Sequence, residues 1–264
     1  MNFPTTLKAG NEFPDYMMKK IEYTLRLADN ALILGHRLSE WCSKAPTLEI
    51  DMALSNIALD LIGQARNLYQ YAANLQGEKT EDDFAYLRDA HDYKNCLLVE
   101  MPNGDFAMTL MRQFLFSAFQ LPFYAQLKDS ESEVLRGVAE KAVKEVTYHL
   151  RWSSEWVIRL GDGTAESHNR IQKALDTLWS YCGDMWTPDD LDIWAAETGF
   201  GVDLKEIKTK WENTISTVLQ EANLVQPEST YFHKGGKTGQ HTEHLGFLLA
   251  EMQFLQRAYP NSEW

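Results

Sequence analysis

Apolar residues at positions 50, 54, 57, 61, 65, 68, 72 and 75 follow one another in unbroken steps of three and four. That rhythm keeps one stripe on one side of an α-helix for roughly seven turns. The run begins behind Thr47, a residue type that caps helix N-termini, and stops at Gly77, a residue type that ends them. A helix of this kind is held by packing of its apolar face more than by intrinsic propensity, so partner helices must exist elsewhere in the chain.

Three other segments have the length and the spacing to be those partners. Residues 19–44 carry Leu25, Ala28, Leu32, Leu38 and Trp41 and end before Pro46. Residues 105–127 carry Phe106, Leu110, Phe114, Phe116 and Leu121, with a kink expected at Pro122. Ser130 and Glu133 read as a capping box opening 130–160, where Val134, Val138, Ala142, Val146, Leu150 and Val157 form the seam up to Gly161-Asp162-Gly163. Shorter helical stretches are expected at 80–90, 165–185, 188–198 with Pro188 in the first turn, 204–222 behind an Asp203/Glu206 capping box, and 242–258. Residues 91–104, closing on Pro102-Asn103-Gly104, and 225–240 read as loops.

Nothing alternates apolar and polar residues over strand length, so the fold class is all-α. The long helices fall into two pairs, 19–44 with 47–76 and 105–127 with 130–160, joined by a crossover through 77–104. That is a ferritin-like four-helix bundle with additional C-terminal helices. At roughly 150 residues per domain, 264 residues allow one large domain or two small ones. With no linker in view, we read 1–18 as a poorly ordered N-terminal extension and 19–264 as a single domain.

A formal charge of −13 without any Lys/Arg tract speaks against a nucleic-acid partner and against an anionic membrane surface. Apolar runs such as Ala31-Leu32-Ile33-Leu34 fall far short of the ~20 residues that span a bilayer. Cys42, Cys96 and Cys182 are too scattered for a disulfide framework or a zinc site, which fits a reducing, cytoplasmic location.

Polar residues on the inner faces of a bundle raise the question of a metal centre. Helix one offers Asp29, His36 and Glu40; helix two Asn56, Asp60, Gln64 and Asn67; helix three Gln113 and Gln120; helix four Glu145 and His149. A di-iron carboxylate site needs a Glu from each of two helices and Glu-x-x-His from each of the other two. None of the seven histidines has a carboxylate three residues before it. Glu145 and His149 share a face, but their four-residue spacing suits an ion pair better than a chelate. A hydrogen-bonded polar network inside the bundle is therefore the favoured reading.

Gly235-Gly236-Lys237-Thr238-Gly239 has the look of a phosphate loop, but Tyr231 stands where the first glycine belongs and no strand precedes it. Lys234, Lys237 and the following helix start leave an anion such as a coenzyme A phosphate open, against the plainer reading of a structural Gly-rich loop. His241 and His244 lie three apart without the His-Glu-x-x-His pattern, so capping by Thr242 and Glu243 is preferred to metal binding. The eight tryptophans, with Trp179, Trp186, Trp194 and Trp211 in the later helices, are expected in the core and at protein interfaces.

Several long strings resemble one family. They are Tyr23 to Asn30, Glu40-Trp41-Cys42 with Ala45 to Asp51, Leu59 to Asn67, Lys144 to Arg151, Gly235 to Gly246, and Leu249 to Gln253. Together they are similar to the C subunits of bacterial ring 1,2-phenylacetyl-CoA epoxidase, from about residue 20 to the end of the chain. The resemblance implies a ferritin-like fold and a place in a multicomponent oxygenase of aerobic phenylacetate degradation. In that system the related A subunit holds the di-iron centre, and a reductase carrying FAD and an iron–sulfur cluster supplies electrons from NADPH. Alignment to the A-subunit pattern through Ala45-Pro46-Thr47-Leu48 puts Leu61 and Gln64, and Val146 and His149, at the two Glu-x-x-His positions. The resemblance thus implies a degenerate site, no cofactor or metal of this chain's own and no catalytic residue. It implies a structural role beside the A subunit. Two alternatives stand: a metal-loaded oxygenase or oxidase in its own right, with Asp29, Glu40, Asp60, Glu145 and His149 as ligands, or a stand-alone homodimeric scaffold.

Overall fold

A computed structural model describes residues 14–260 and 262. Its helices, in chain order, are α1 Asp15–Ser39, α2 Leu48–Gln76, α3 Glu81–Tyr86, α4 Leu97–Glu100, α5 Phe106–Leu127 and α6 Glu133–Gly161. They continue as α7 Ala165–Trp179, α8 Gly183–Trp186, α9 Asp190–Glu197, α10 Leu204–Glu221, α11 Glu243–Met252 and α12 Phe254–Ala258. No strand occurs among the described residues, and none of the described helices is long and apolar enough to cross a membrane.

The bundle is built as the periodicity requires. Helix α1 lies along α2, α5 along α6, and α2 against α6, with α3 and α4 carried in the crossover between the pairs. All of Ile50, Leu54, Ile57, Leu61, Ala65, Leu68 and Ala72 are buried. The Thr47 side chain accepts from the Ile50 N–H, and α2 ends at Gly77.

Local boundaries differ from expectation where side chains decide them. Most of the expected extension, residues 1–13, lies outside the described residues, but α1 already starts at Asp15, where Lys19 pairs with its carboxylate at 2.8 Å. At the far end α1 stops at Ser39 and the chain turns through Ser43, at φ 67°, before Pro46 is reached. The cap of α6 is Ser132, not Ser130: the Ser132 hydroxyl accepts from Leu135 N–H, while Ser130 donates to the Phe200 carbonyl at 2.7 Å. The buried face of α6 is accordingly Leu135, Val138, Ala139, Ala142, Val146 and Val157, and Val134 points outward. Helix α5 runs through Pro122 as a single element. Helix α9 is capped by Asp189, so Pro188 precedes the cap.

The later helices extend one core and do not form a second. Helices α7 and α10 pack on α5, and the buried Trp211 indole donates to the Leu115 carbonyl at 2.9 Å. Trp179, Trp186 and Trp211 form one aromatic cluster, the last two with ring centroids 4.2 Å apart.

The C-terminal segment is tied down by a buried carboxylate. Glu100, on α4, is fully buried; its Oε2 accepts from His241 Nδ1 at 2.8 Å and from Asn95 Nδ2 at 2.9 Å, and its Oε1 accepts from the Thr242 N–H at 2.6 Å. The other ring nitrogen, His241 Nε2, faces the Tyr93 carbonyl at 2.9 Å. With an acceptor on each side, the ring serves both only when doubly protonated. Burial pulls its pKa down, but the Glu100 hydrogen bond and charge and the Tyr93 carbonyl outweigh it, so it stands above the ordinary 6.5. The folded protein then holds a proton that the unfolded chain releases, and stability falls as pH rises. This contribution is complete below pH 6.5 and is lost as pH climbs through the raised value. We expect urea midpoints to decline over that interval and a His241→Gln variant to show a flatter profile there; equal slopes in the two proteins would contradict the assignment.

Candidate functional site

The four aligned positions come together between α2 and α6. Leu61 and Val146 are fully buried hydrocarbon, and neither carries a donor atom for a metal. Gln64 is buried with both ends of its amide engaged: Nε2 donates to Glu145 Oε2 at 2.8 Å, and Oε1 accepts from the Tyr124 hydroxyl at 3.1 Å. Burial, with the charge of Glu145 adding to it, pushes the Tyr124 phenol well above its ordinary pKa, so it remains a donor. The other oxygen of Glu145 has Lys141 at 3.4 Å. His149, fully buried, uses Nε2 toward Asp60 Oδ2 at 3.0 Å, and Asp60 itself is partly open to solvent. On α5, Gln113 donates to Ser117 at 2.8 Å, and Gln120 is buried on the same helix.

The five candidate ligands of the metal-loaded alternative do not converge. Asp60 faces His149, Glu145 faces Gln64 and Lys141, and Glu40 binds Arg37 Nη1 and Asn103 Nδ2, each at 2.9 Å. Asp29, on α1, serves the crossover. Its carboxylate is fully buried and accepts from both terminal nitrogens of Arg88, from the Tyr69 hydroxyl at 2.6 Å and from the Lys94 N–H at 2.7 Å. Asn56 and Asn67 point to solvent, and His36 is partly buried on α1, where burial lowers its pKa. Among the described residues no group of three or more His, Cys, Asp or Glu is gathered in metal-binding geometry. The donor set at the aligned positions, two hydrocarbons, one amide and one imidazole, does not fit a di-iron centre, which needs several carboxylates to balance two cations.

The Gly-rich loop already holds its anion. Asp184, on α8, accepts from the Gly235 N–H at 3.1 Å and the Gly236 N–H at 2.9 Å, and a Cβ at Gly236 would lie 2.2 Å from the Asn95 carbonyl oxygen. Lys237 is held at 2.7 Å from Asp192 and donates to the Thr187 carbonyl at 3.0 Å. These contacts take the loop amides and Lys237 out of the phosphate reading, leaving Lys234 exposed. His241 is bound by Glu100 and Tyr93, so it and His244 do not form a metal pair.

Sequence reasoning missed Tyr124, Tyr69, Arg88, Glu100 and Asp184 as members of these networks. Each acts across the fold, and no local spacing signals it. Asp29 in particular is a structural ion-pair partner. Asp29→Ala strands a buried guanidinium and is expected to cost about 3–5 kcal/mol in urea denaturation, whereas pairing Asp29→Leu with Arg88→Met should recover most of that.

The chain is 47% identical over 242 residues to the C subunit of 1,2-phenylacetyl-CoA epoxidase from Escherichia coli (strain K12), an alignment covering 92% of this chain and 98% of that protein. The family described as phenylacetic acid catabolic protein matches residues 6–264. A match over nearly the whole length, on an all-helical bundle, places the chain in the phenylacetic acid catabolic protein family, a family with the ferritin-like fold.

Proposed function

We propose that this chain is a structural, non-catalytic C-type subunit of a multicomponent phenylacetyl-CoA ring 1,2-epoxidase, supporting a di-iron A subunit in aerobic phenylacetate catabolism. The observation that carries the reading is the Gln64–Glu145 hydrogen bond between α2 and α6: the carboxylate one residue before the aligned position 146 is turned to an amide and a lysine. Under this reading iron resides in the partner, and FAD, an iron–sulfur cluster and NADPH belong to the reductase. The complex works in the cytoplasm, where Cys42, Cys96 and Cys182, all free thiols, stay reduced.

A bundle without its own chemistry acts through its surface. Leu48, Met52 and Leu59 are 72%, 56% and 66% exposed. At 100° per residue they fall within one narrow stripe on the outer side of α2. Tyr148 is also exposed, on the neighbouring α6. Such a stripe supports an apolar helix-to-helix interface larger than the ~1,000 Å² of a minimal specific contact. In the absence of the A subunit, the same stripe is suited to pairing with a second copy.

Two measurements test the proposal. Purified alone after iron supplementation, the chain is expected to hold far less than two irons per molecule. Near-stoichiometric iron with an oxo-bridge absorption band would favour the metal-loaded alternative. Co-expressed with the A subunit, it should co-elute with it and raise its soluble yield or activity. A Met52→Glu, Leu59→Glu variant, altered only at exposed positions, should weaken that association about tenfold or more. An A subunit that is monodisperse and fully active without this chain would remove the proposed role.

A further inference from the structure

Two adjoining grooves lie between α8, the first half of α10 and the segment 226–234. The first, of about 560 Å³, has Lys205, Lys208 and Lys234 around Trp186 and Tyr231, and no carboxylate among its described lining residues. The second, of about 490 Å³, is walled by Trp179 and Trp211 and carries the polar groups of Glu212, Asn213 and Glu228. Trp186, Lys208 and Phe232 border both. Each volume falls within the range of small-molecule sites.

Three lysines around one groove are conspicuous on a chain of net charge −13. Lys208 has only a long ion pair, 3.6 Å to Glu212 on its own helix, and Lys205 and Lys234 form none among the described residues. A multiply charged anion set between them would relieve the repulsion of three like charges.

The wall that carries Lys234 is anchored in place. His233 N–H donates to the Ser180 carbonyl at 2.8 Å, and the His233 ring stacks on Tyr181 at 4.5 Å. Phe232 is seated against Gly183, where a Cβ would lie 2.5 Å from the Phe232 Cβ. One residue beyond Lys234, Asp184 clamps the Gly235 and Gly236 amides. Tyr231, 65% exposed, presents an uncovered aromatic ring over the groove that the lysines surround.

We propose that these paired grooves bind a nucleoside phosphate. Its phosphate oxygens sit among Lys205, Lys208 and Lys234, forming charge-assisted hydrogen bonds. The base packs against Tyr231 and the tryptophan wall, with Glu212, Glu228 and Asn213 within the second groove to meet its ring nitrogens and exocyclic amine. The cationic groove and the aromatic, carboxylate-bearing groove match the two unlike halves of such a ligand. Nothing in this chemistry depends on the role of the bundle beside another subunit.

The test is calorimetric titration of the full chain with adenosine diphosphate, with inorganic pyrophosphate and adenosine as separate probes. Adenosine diphosphate is expected to bind more tightly than either fragment, to weaken as salt is raised, and to quench tryptophan fluorescence. A Lys205→Gln, Lys234→Gln variant, changed at two exposed side chains, should bind about tenfold or more weakly with an unaltered thermal melt. Three results would each overturn the assignment: no adenosine diphosphate binding, unchanged binding by the double variant, or pyrophosphate binding as tightly as adenosine diphosphate. None of these bears on partnership with the A subunit.

Discussion

Two fully buried carboxylates, Asp29 and Glu100, hold the architecture together because neither tolerates burial without a complete set of donors. Asp29 sits on α1 and draws its partners, Arg88 and the Lys94 N–H, from the crossover. Glu100 sits in the crossover and draws its partners, His241 and the Thr242 N–H, from the C-terminal segment. The segment between α2 and α5 is thereby fixed from its middle to the first helix and from near its end to the C-terminal segment. The two helix pairs owe their relative placement to apolar packing, but the crossover and the C-terminal helices owe theirs to these two charges. Arg37 adds to the tie, donating to both the Glu100 and the His244 carbonyls.

The bundle interior follows the same rule. A core that keeps polar side chains at the aligned ligand positions must pair them, since an unpaired amide or carboxylate costs more than hydrocarbon in its place. Leu61 and Val146 take the hydrocarbon course, and Gln64, Glu145, Tyr124 and Lys141 take the other, as one connected set. His149 meets Asp60 through Nε2 alone, and the Asp60 carboxylate is partly open to solvent. The seam of α2 and α6 thus pairs Gln64, Glu145 and the Nε2 of His149 through its own side chains, while His149 Nδ1 is buried without a partner.

What the sequence disclosed and what it hid divide along range. The stripe from Ile50 to Ala72 and its cap Thr47 are short-range signals, and the structure reproduces them. Ser130 and Ser132 both look like caps, and the choice falls to Ser132 because Phe200, 70 residues away, claims the Ser130 hydroxyl. His241 and Glu100 are 141 residues apart, so no window along the chain joins them. The Gly-rich loop shows the same limit from the opposite direction. Its composition announces amides free for an anion, but only the fold reveals that the anion is the Asp184 side chain.

The spacing of Glu145 and His149 shows how small a displacement separates a metal site from a structural bundle. On a helix, one residue is a rotation of 100°, so a carboxylate at 145 instead of 146 leaves the face that points inward with His149. The side chains follow that rotation: Val146 and His149 are fully buried, whereas Glu145 keeps 14% of its side chain exposed and reaches sideways to Gln64. Moving the carboxylate by one position does not make a ligand pair by itself. It would strand the Gln64 amide, bury a negative charge where Val146 now places hydrocarbon, and still leave α2 with no imidazole. The two helices are therefore joined by the Gln64–Glu145 and Asp60–His149 contacts beside the buried hydrocarbon of Leu61 and Val146, and the displaced carboxylate leaves His149 Nδ1 buried without a partner.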